Sequence, residues 1–224
     1  MELMSQSSAL PGLQRLIEVC RRLELKVEMA PPGRTPPLAG MLVAGLPFDR
    51  ILQTVYAQLG FGAFATDVAG IVVRRYDDTA RKVEEDNVWW SQGYRQHLAL
   101  PTFLFAAEPF TACYYATVPS LADAQGRQPV VMVDVNEEPY ALPVASNVDS
   151  FFDTYSRYLE ALMALPDARE EKGALLTFPW DVPSLIGQDA ALVRLLRAGS
   201  LTSIMKTTGS TTEWAAQVVA TAER

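Results

Sequence analysis

Side chains that bind metals or act as nucleophiles are scarce in this chain. Among its 224 residues there is one histidine, His97, and there are two cysteines, Cys20 and Cys113. A nucleophilic triad needs a base paired with its nucleophile, and a zinc site needs several histidine or cysteine ligands. His97 stands at the edge of an apolar run, where we expect a structural role. We therefore predict no catalytic residue, no metal site and no cofactor.

Carboxylates are more abundant, and several stand next to one another. The adjacent pairs are Asp77/Asp78, Glu84/Glu85 and Glu137/Glu138. Neighbouring side chains on a strand point to opposite faces, so none of these is an evident acid–base pair. A carboxylate site assembled by folding would make the protein an enzyme, and this stays an alternative. The chain has no dinucleotide-binding glycine motif, phosphate-binding loop, serine-hydrolase elbow or calcium-binding loop.

A pair of tryptophans, Trp89-Trp90, is the most unusual local feature of the sequence. It follows the highly charged segment 74–86, for which we expect a solvated loop or a short exposed helix. Tryptophan is common both at the centre of protein interfaces and in protein cores. We expect at least one of the two side chains to pack in the core.

The overall charge narrows the class of partner. The chain carries 26 acidic and 19 basic side chains, which gives a formal net charge of −7. Nucleic-acid affinity comes largely from cationic contacts with phosphates, so direct nucleic-acid binding is not expected. The same charge favours encounter with a basic protein, although mild acidity also keeps a protein soluble. Both interpretations of the charge stay open at this point.

The N-terminus and the apolar stretches indicate where the protein is expected. Residues 1–10 have neither the basic region nor the apolar region of a secretory signal. The longest apolar stretches are too short to span a bilayer. Two isolated cysteines form no disulfide framework and suit a reducing compartment. We therefore expect a cytoplasmic protein that does not act at a membrane.

Apolar spacing predicts the helices that position these residues. Apolar side chains recur at three and four positions between Leu13 and Leu23, which is typical of an amphipathic helix. Leu46-Pro47 is expected to open a second helix, because proline suits the first helical turn. Gly60 is expected to cap that helix, and Gly60-Phe61-Gly62 is expected to be a helix stop followed by a tight turn.

Short apolar runs separated by turn residues predict strands. They cover residues 68–76, 98–105, 110–118, 129–135 and 140–144. Their spacing indicates hairpins of an antiparallel sheet and not repeated βαβ units. A strongly aromatic helix follows, capped by Ser146 or Asn147. We predict an α+β fold, with a mainly antiparallel β-sheet flanked by helices over residues 1–165 and a small helical C-terminal extension, 166–224, packed on that domain.

Four features follow one another in a distinctive order along the chain. Leu46-Pro47 precedes the second helix and Gly60 follows it, the strand Val130–Asp134 comes later, and Ala145–Phe152 introduces the aromatic helix. This order resembles the SMI1/KNR4 family of the SUKH superfamily over about residues 11–164. Members of that family have a Leu-Pro before the second helix, a glycine after it, a strand of the form V-x-x-x-D and a closing helix introduced by A-x-S-φ-x-x-F-φ.

The resemblance implies a non-catalytic protein-binding module. Bacterial members resemble immunity proteins that bind and neutralise a cognate toxin, often a nuclease, and fungal relatives act as regulatory scaffolds. A scaffold or adaptor is therefore the alternative to an immunity protein. A nuclease has a cationic cleft, which acidic residues and aromatic anchors can cover. The expected contact residues are Asp77, Asp78, Glu84, Glu85, Asp86, Trp89, Trp90, Asp134, Glu137 and Glu138.

Overall fold

A seven-stranded antiparallel sheet is the framework of the fold. The computed structural model describes residues 9–109, 111–136, 140–171, 175–205 and 209–222. The strands are β1 (Val27–Ala30), β2 (Leu42–Val43), β3 (Leu46–Pro47), β4 (Phe61–Phe64), β5 (Ile71–Val73), β6 (Phe103–Ala107), β7 (Cys113–Thr117), β8 (Val130–Asp134) and β9 (Tyr140–Ala145). Their order in the sheet is β1-β4-β5-β6-β7-β8-β9, while β2 and β3 form a separate hairpin.

Helices surround this sheet, as the predicted α+β fold requires. In the described residues they are α1 (Pro11–Arg22), α2 (Arg50–Gln58), α3 (Lys82–Gly93), α4 (Val148–Met163), α5 (Ala168–Glu171), α6 (Pro183–Ile186), α7 (Ala190–Arg197) and α8 (Gly209–Thr221). Two 3-10 turns lie at Arg95–His97 and Pro119–Leu121. Over the same part of the chain, no helix combines the length and apolar composition that crossing a membrane requires.

Helices α1 and α4 pack together on one face of the sheet. Asn147 caps α4, and its side-chain oxygen accepts the N–H groups of Asp149 and Ser150. The carboxylate of Asp149 in turn accepts the N–H groups of Gly12 and Leu13, each at 3.1 Å, at the start of α1. One carboxylate thus satisfies backbone donors that the first turn of α1 leaves unpaired. The predicted cap at Asn147 is confirmed.

The core between α4 and the sheet is aromatic. Phe151 of α4 lies 4.7 Å from Tyr115 of β7 and 5.7 Å from Phe105 of β6, measured between ring centroids. All three side chains are fully buried. Since side chains alternate along a strand, Tyr114 points to the other face of the sheet, where its ring lies 5.4 Å from Trp90.

The two edges of the sheet differ in how they are covered. Strand β1 is one edge, with Glu28 exposed at its centre and Pro31-Pro32 directly after its last residue. Strand β9 is the other edge, and α7 packs beside it. Asp189 caps α7 and also accepts the N–H of Ser146 at 2.7 Å, just after β9.

The C-terminal helices add buried side chains to the same core. Ile186, Leu192, Trp214 and Val218 are each at most 2 % exposed. The indole Nε1 of Trp214 donates to the carbonyl oxygen of Pro179 at 3.0 Å. These contacts pack α6, α7 and α8 against α4, β9 and one another.

The start of α2 differs from the sequence prediction. Leu46-Pro47 forms β3, which pairs with β2, and α2 begins at Arg50. The N-cap is Asp49, whose Oδ1 accepts the N–H of Leu52 at 2.8 Å, while its Oδ2 accepts the N–H of Gln128 at 2.8 Å. The proline signal was misleading because a side-chain cap three residues beyond Leu46 sets the start of the helix.

The end of α2 also differs from the prediction. The chain leaves the helix at Leu59 in an extended conformation, so Gly60 is not a left-handed cap. A Cβ atom at Gly60 would lie 2.7 Å from the carbonyl oxygen of Pro31 and 2.7 Å from Cβ of Asp77. Glycine is therefore required by close approach of two other segments. In place of the tight turn predicted at Gly60-Phe61-Gly62, the chain continues directly into strand β4.

Candidate partner-binding surface

Helix α3 lies against β6 through a buried polar side chain. Asn87 is fully buried, its Nδ2 donates to the carbonyl oxygen of Leu104 at 2.7 Å, and its Oδ1 accepts the N–H of Leu104 at 2.8 Å. Strand β5 pairs with β6 only at Ala106 and Ala107. The side-chain amide thus replaces a neighbouring strand at Leu104, and it fixes α3 on the sheet.

Trp90 belongs to the core and is not available to a partner. It is fully buried, and its Nε1 donates to Oγ1 of Thr102 at 2.9 Å. Its position fits the spacing of the other buried residues of α3, Val83 and Asn87. The expectation that at least one of the two tryptophans packs in the core is confirmed by Trp90. The inclusion of Trp90 among the expected contact residues was wrong.

Trp89 is exposed and rests on an aromatic base. Its side chain is 45 % exposed, and that of its neighbour Val88 is 49 % exposed. The ring centroid of Trp89 lies 5.2 Å from that of Tyr94, 6.1 Å from that of Tyr114 and 6.2 Å from that of Trp90. These contacts limit the motion of the indole while leaving much of its surface open to solvent.

The acidic residues of α3 are paired with neighbouring cations. The Oε2 of Glu85 lies 2.6 Å from Nζ of Lys82, and both side chains are more than half exposed. Glu84 pairs with Arg81 at 3.6 Å, and Asp86 pairs with Arg74 at 3.1 Å. Segment 74–86 thus contains four cations, Arg74, Arg75, Arg81 and Lys82, beside its five acids. The surface is of mixed charge and is not a uniformly acidic patch.

Asp77 is a buried turn residue, contrary to the expected solvated loop. Its Oδ1 accepts from the hydroxyl and the N–H of Thr79 at 2.5 and 2.8 Å, and its Oδ2 lies 2.6 Å from Nη1 of Arg75. The hydrogen bond from the Thr79 hydroxyl is the main cause that holds the pKa of Asp77 below its ordinary value. The next residue, Asp78, is largely exposed and lies 3.8 Å from Arg34.

Asp134 lies on the opposite face of the sheet from Trp89. It pairs with Cys113 across β7 and β8, and directly paired residues place their side chains on the same face. Cys113 shares its face with Tyr115, which packs on α4. The carboxylate of Asp134 accepts the N–H of Asn136 and the hydroxyl of Tyr140. Glu137 and Glu138 lie outside the described residues.

The structure therefore brings together only part of the predicted contact set. Glu84, Glu85, Asp86 and Trp89 share α3, whereas Asp134 is separated from them by the sheet. Tyr94, Tyr114 and Arg74 belong to the same surface and were not singled out from the sequence. The guanidinium carbon of Arg74 lies 6.0 Å from the centroid of the Tyr114 ring. For Tyr114 the sequence offered one signal: Tyr114 and Tyr115 are neighbours in a predicted strand, so their side chains point to opposite faces of the sheet.

The two cysteines and the histidine differ in their exposure, since Cys20 is buried and Cys113 is half-buried. Burial raises the pKa of Cys20 and of Cys113 to about 12, so neither thiol is ionised near neutral pH. His97 is exposed on a 3-10 turn. Within the described ranges, no group of three or more His, Cys, Asp or Glu side chains is placed to hold a metal ion. Comparison with known proteins found no matching family model, curated protein or solved structure.

Proposed function

We propose that this chain is a non-catalytic binding module of the SMI1/KNR4 type, an immunity protein that binds and neutralises a cognate toxin. The observation that carries the proposal is the exposed indole of Trp89, held on the rings of Trp90, Tyr94 and Tyr114. A large aromatic side chain that is already ordered loses little conformational entropy on binding. Such residues dominate the energy of many protein interfaces.

Charge supports a basic partner. Glu85 precedes Trp89 by four residues, so both lie on the exposed face of α3. Among the described residues Glu85 is paired with the exposed Lys82 alone, and exposed pairs of this kind contribute little stability. A cationic partner can displace Lys82 at small cost, and the net charge of −7 favours its approach.

The test is capture of a partner by the full chain and by variants of α3. Immobilised wild-type protein, Trp89→Ala, Glu85→Lys and the control Leu175→Ala are exposed to a lysate of the source cells, and the bound proteins are quantified by mass spectrometry. Leu175 is 42 % exposed and lies outside α3. We expect one protein to be enriched by wild type and Leu175→Ala and to be lost with Trp89→Ala, by about tenfold or more in affinity.

The enriched protein is then purified, and its toxic activity is measured with increasing amounts of the wild-type chain. We expect stoichiometric inhibition that Trp89→Ala does not produce. A captured protein without toxic activity would instead support the adaptor alternative, which uses the same surface. Equal capture by wild type and Trp89→Ala, or no enrichment above the empty resin, would contradict the proposed surface.

A further inference from the structure

A cavity lies on the α4 side of the sheet, away from Trp89. Its volume is about 350 Å³, and the loops that follow β4 and β6 form its rim. These loops meet because β4 and β6 are both antiparallel to β5, which lies between them, so they run in the same direction and finish at the same end of the sheet. Tyr155 and Tyr158 of α4, with Phe178, form the inner wall.

Glu108 places a carboxylate in this cavity. Its Oε1 accepts the hydroxyl of Tyr115 at 2.6 Å, and its Oε2 accepts the hydroxyl of Thr111 at 3.3 Å. Burial raises the pKa of Glu108 above its ordinary value, although both hydrogen bonds act in the opposite direction. Among the described residues that line the cavity none is Lys, Arg or His, and Glu108 forms no ion pair within the described part of the chain.

The wall beside Glu108 is aromatic and rigid. The ring centroids of Tyr155, Tyr158 and Phe178 lie 5.2 to 5.4 Å from one another. The hydroxyl of Tyr155 donates to the carbonyl oxygen of Ala69 at 2.7 Å, and that of Tyr158 donates to the carbonyl oxygen of Leu176 at 2.9 Å. Both phenols are thus fixed by the backbone and do not compete for Glu108. Aromatic faces carry negative potential, which attracts organic cations.

A second carboxylate stands on the rim. Asp67 lines the same cavity, and its Oδ1 accepts the N–H of Lys26 at 2.9 Å, which fixes its orientation. Like Glu108, it forms no ion pair within the described residues. The cavity thus combines an apolar aromatic wall with two acids and no compensating cation. An anion or a neutral apolar molecule would leave both carboxylates without a cationic partner.

We propose that this cavity binds a small organic cation, an alkylammonium or guanidinium group paired with Glu108 and packed on Tyr155, Tyr158 and Phe178. The volume is at the lower end of small-molecule sites and suits a short alkyl chain with one cationic head. The group is carried by a free amine or by the lysine or arginine side chain of another protein. This site is on the other face of the sheet from Trp89, so it does not depend on the proposed function.

The probes are n-butylammonium and n-butylguanidinium chloride, with 1-butanol as the neutral analogue. Binding is followed by chemical-shift changes of the ¹⁵N-labelled full chain. We expect saturable binding of the cations with shifts at the lining residues Ala69, Thr111 and Phe178, and none with 1-butanol. In Glu108→Gln the affinity is expected to fall by about tenfold or more, since a charge-assisted hydrogen bond is lost. The variant should fold, because Gln keeps the acceptor for Tyr115 and removes a poorly solvated charge.

Glu85→Gln on α3 is the matched control and should bind like wild type, as should Trp89→Ala. A blocked tripeptide with central arginine distinguishes the two sources: tighter binding than n-butylguanidinium supports a protein side chain, and weaker binding supports a free amine. Absence of saturable binding by wild type at millimolar probe would overturn the proposal. So would equal binding of 1-butanol, or unchanged affinity in a folded Glu108→Gln.

Discussion

Asp49 joins the start of α2 to Gln128 through a carboxylate that solvent does not reach. It is fully buried and accepts the N–H groups of Leu52 and Gln128. Burial raises its pKa from 3.8 to about 6, because loss of hydration outweighs these hydrogen bonds. The fold therefore needs Asp49 as a hydrogen-bond acceptor, but the ionised form of Asp49 destabilises the folded state. The cap at Asp49 was not predicted from the sequence, and Gln128 is too distant along the chain for its contact with Asp49 to be inferred.

We predict that Asp49→Ala lowers the free energy of unfolding by about 2–4 kcal/mol at pH 4, because two buried N–H groups lose their acceptor. An acid whose pKa is raised on folding destabilises the native state once the unfolded form ionises. The cost of the variant should therefore shrink as pH rises from 3.8 to about 6. Urea denaturation of wild type and variant at intervals of pH measures this difference.

Asp123→Ala is the control for the direction of this pH dependence. Burial opposes ionisation of Asp123, but hydrogen bonds from Arg127 and Gln125 outweigh it and lower the pKa. Stability from such a group is present above the unfolded pKa and is lost as pH falls. The cost of Asp123→Ala should therefore grow with pH over the acidic range. Parallel pH profiles for the two variants would show that the burial of Asp49 does not control its ionisation.

Helix α3 shows why a surface element can be hard to identify from sequence. Helices α1 and α4 have regular apolar spacing and were predicted from it, whereas the buried positions of α3 are Val83, Asn87 and Trp90. The buried Asn87 interrupts the apolar pattern, because asparagine is polar. Its partner is the backbone of Leu104, and a contact with backbone atoms has no signature in the sequence. Unless Asn87 is recognised as a buried position, the sequence does not indicate which of the two tryptophans faces inward. Trp89 was therefore a candidate equal to Trp90 until the helix was placed.

We predict that Asn87→Ala lowers the free energy of unfolding by about 2–5 kcal/mol, since the buried N–H and C=O of Leu104 lose their partners. The amide of Leu104 should also lose protection in native-state hydrogen exchange. Ser91→Ala is the control. The hydroxyl of Ser91 donates to the carbonyl oxygen of Val88 within α3, and its loss should cost under about 1 kcal/mol. Equal losses for the two variants would contradict the role given to Asn87.

At the scale of the whole molecule, Phe178 ties the C-terminal segment to the sheet domain. Its ring lies 5.2 Å from Tyr155, 5.4 Å from Tyr158 and 6.1 Å from Tyr115. The α+β fold and the antiparallel sheet were predicted correctly, because hairpin spacing and aromatic periodicity are local signals. The packing of Phe178 against the sheet domain was not predicted, since contacts between distant segments have no periodic signature in the sequence.

We predict that Phe178→Ala lowers the free energy of unfolding by about 3–5 kcal/mol, the usual cost of removing a buried phenylalanine. The same variant should weaken n-butylguanidinium binding, because it removes part of the wall beside Glu108. Leu165→Ala, at a position 38 % exposed, is the control and should cost under about 1 kcal/mol. Chemical denaturation measures both. A loss below 1 kcal/mol for Phe178→Ala would show that the C-terminal segment packs independently.

The edges of the sheet limit how this protein can associate with other chains. Strand addition needs a free edge with unpaired backbone groups, and exposed edges of this kind also seed self-assembly into fibres. The edge at β1 is only four residues long, carries Glu28 outward and stops at Pro31-Pro32, whose nitrogens cannot donate to another strand. Helix α7 packs beside the opposite edge, β9. We therefore expect a higher protein concentration to promote β-pairing between molecules only after β1 or α7 has been displaced from the sheet.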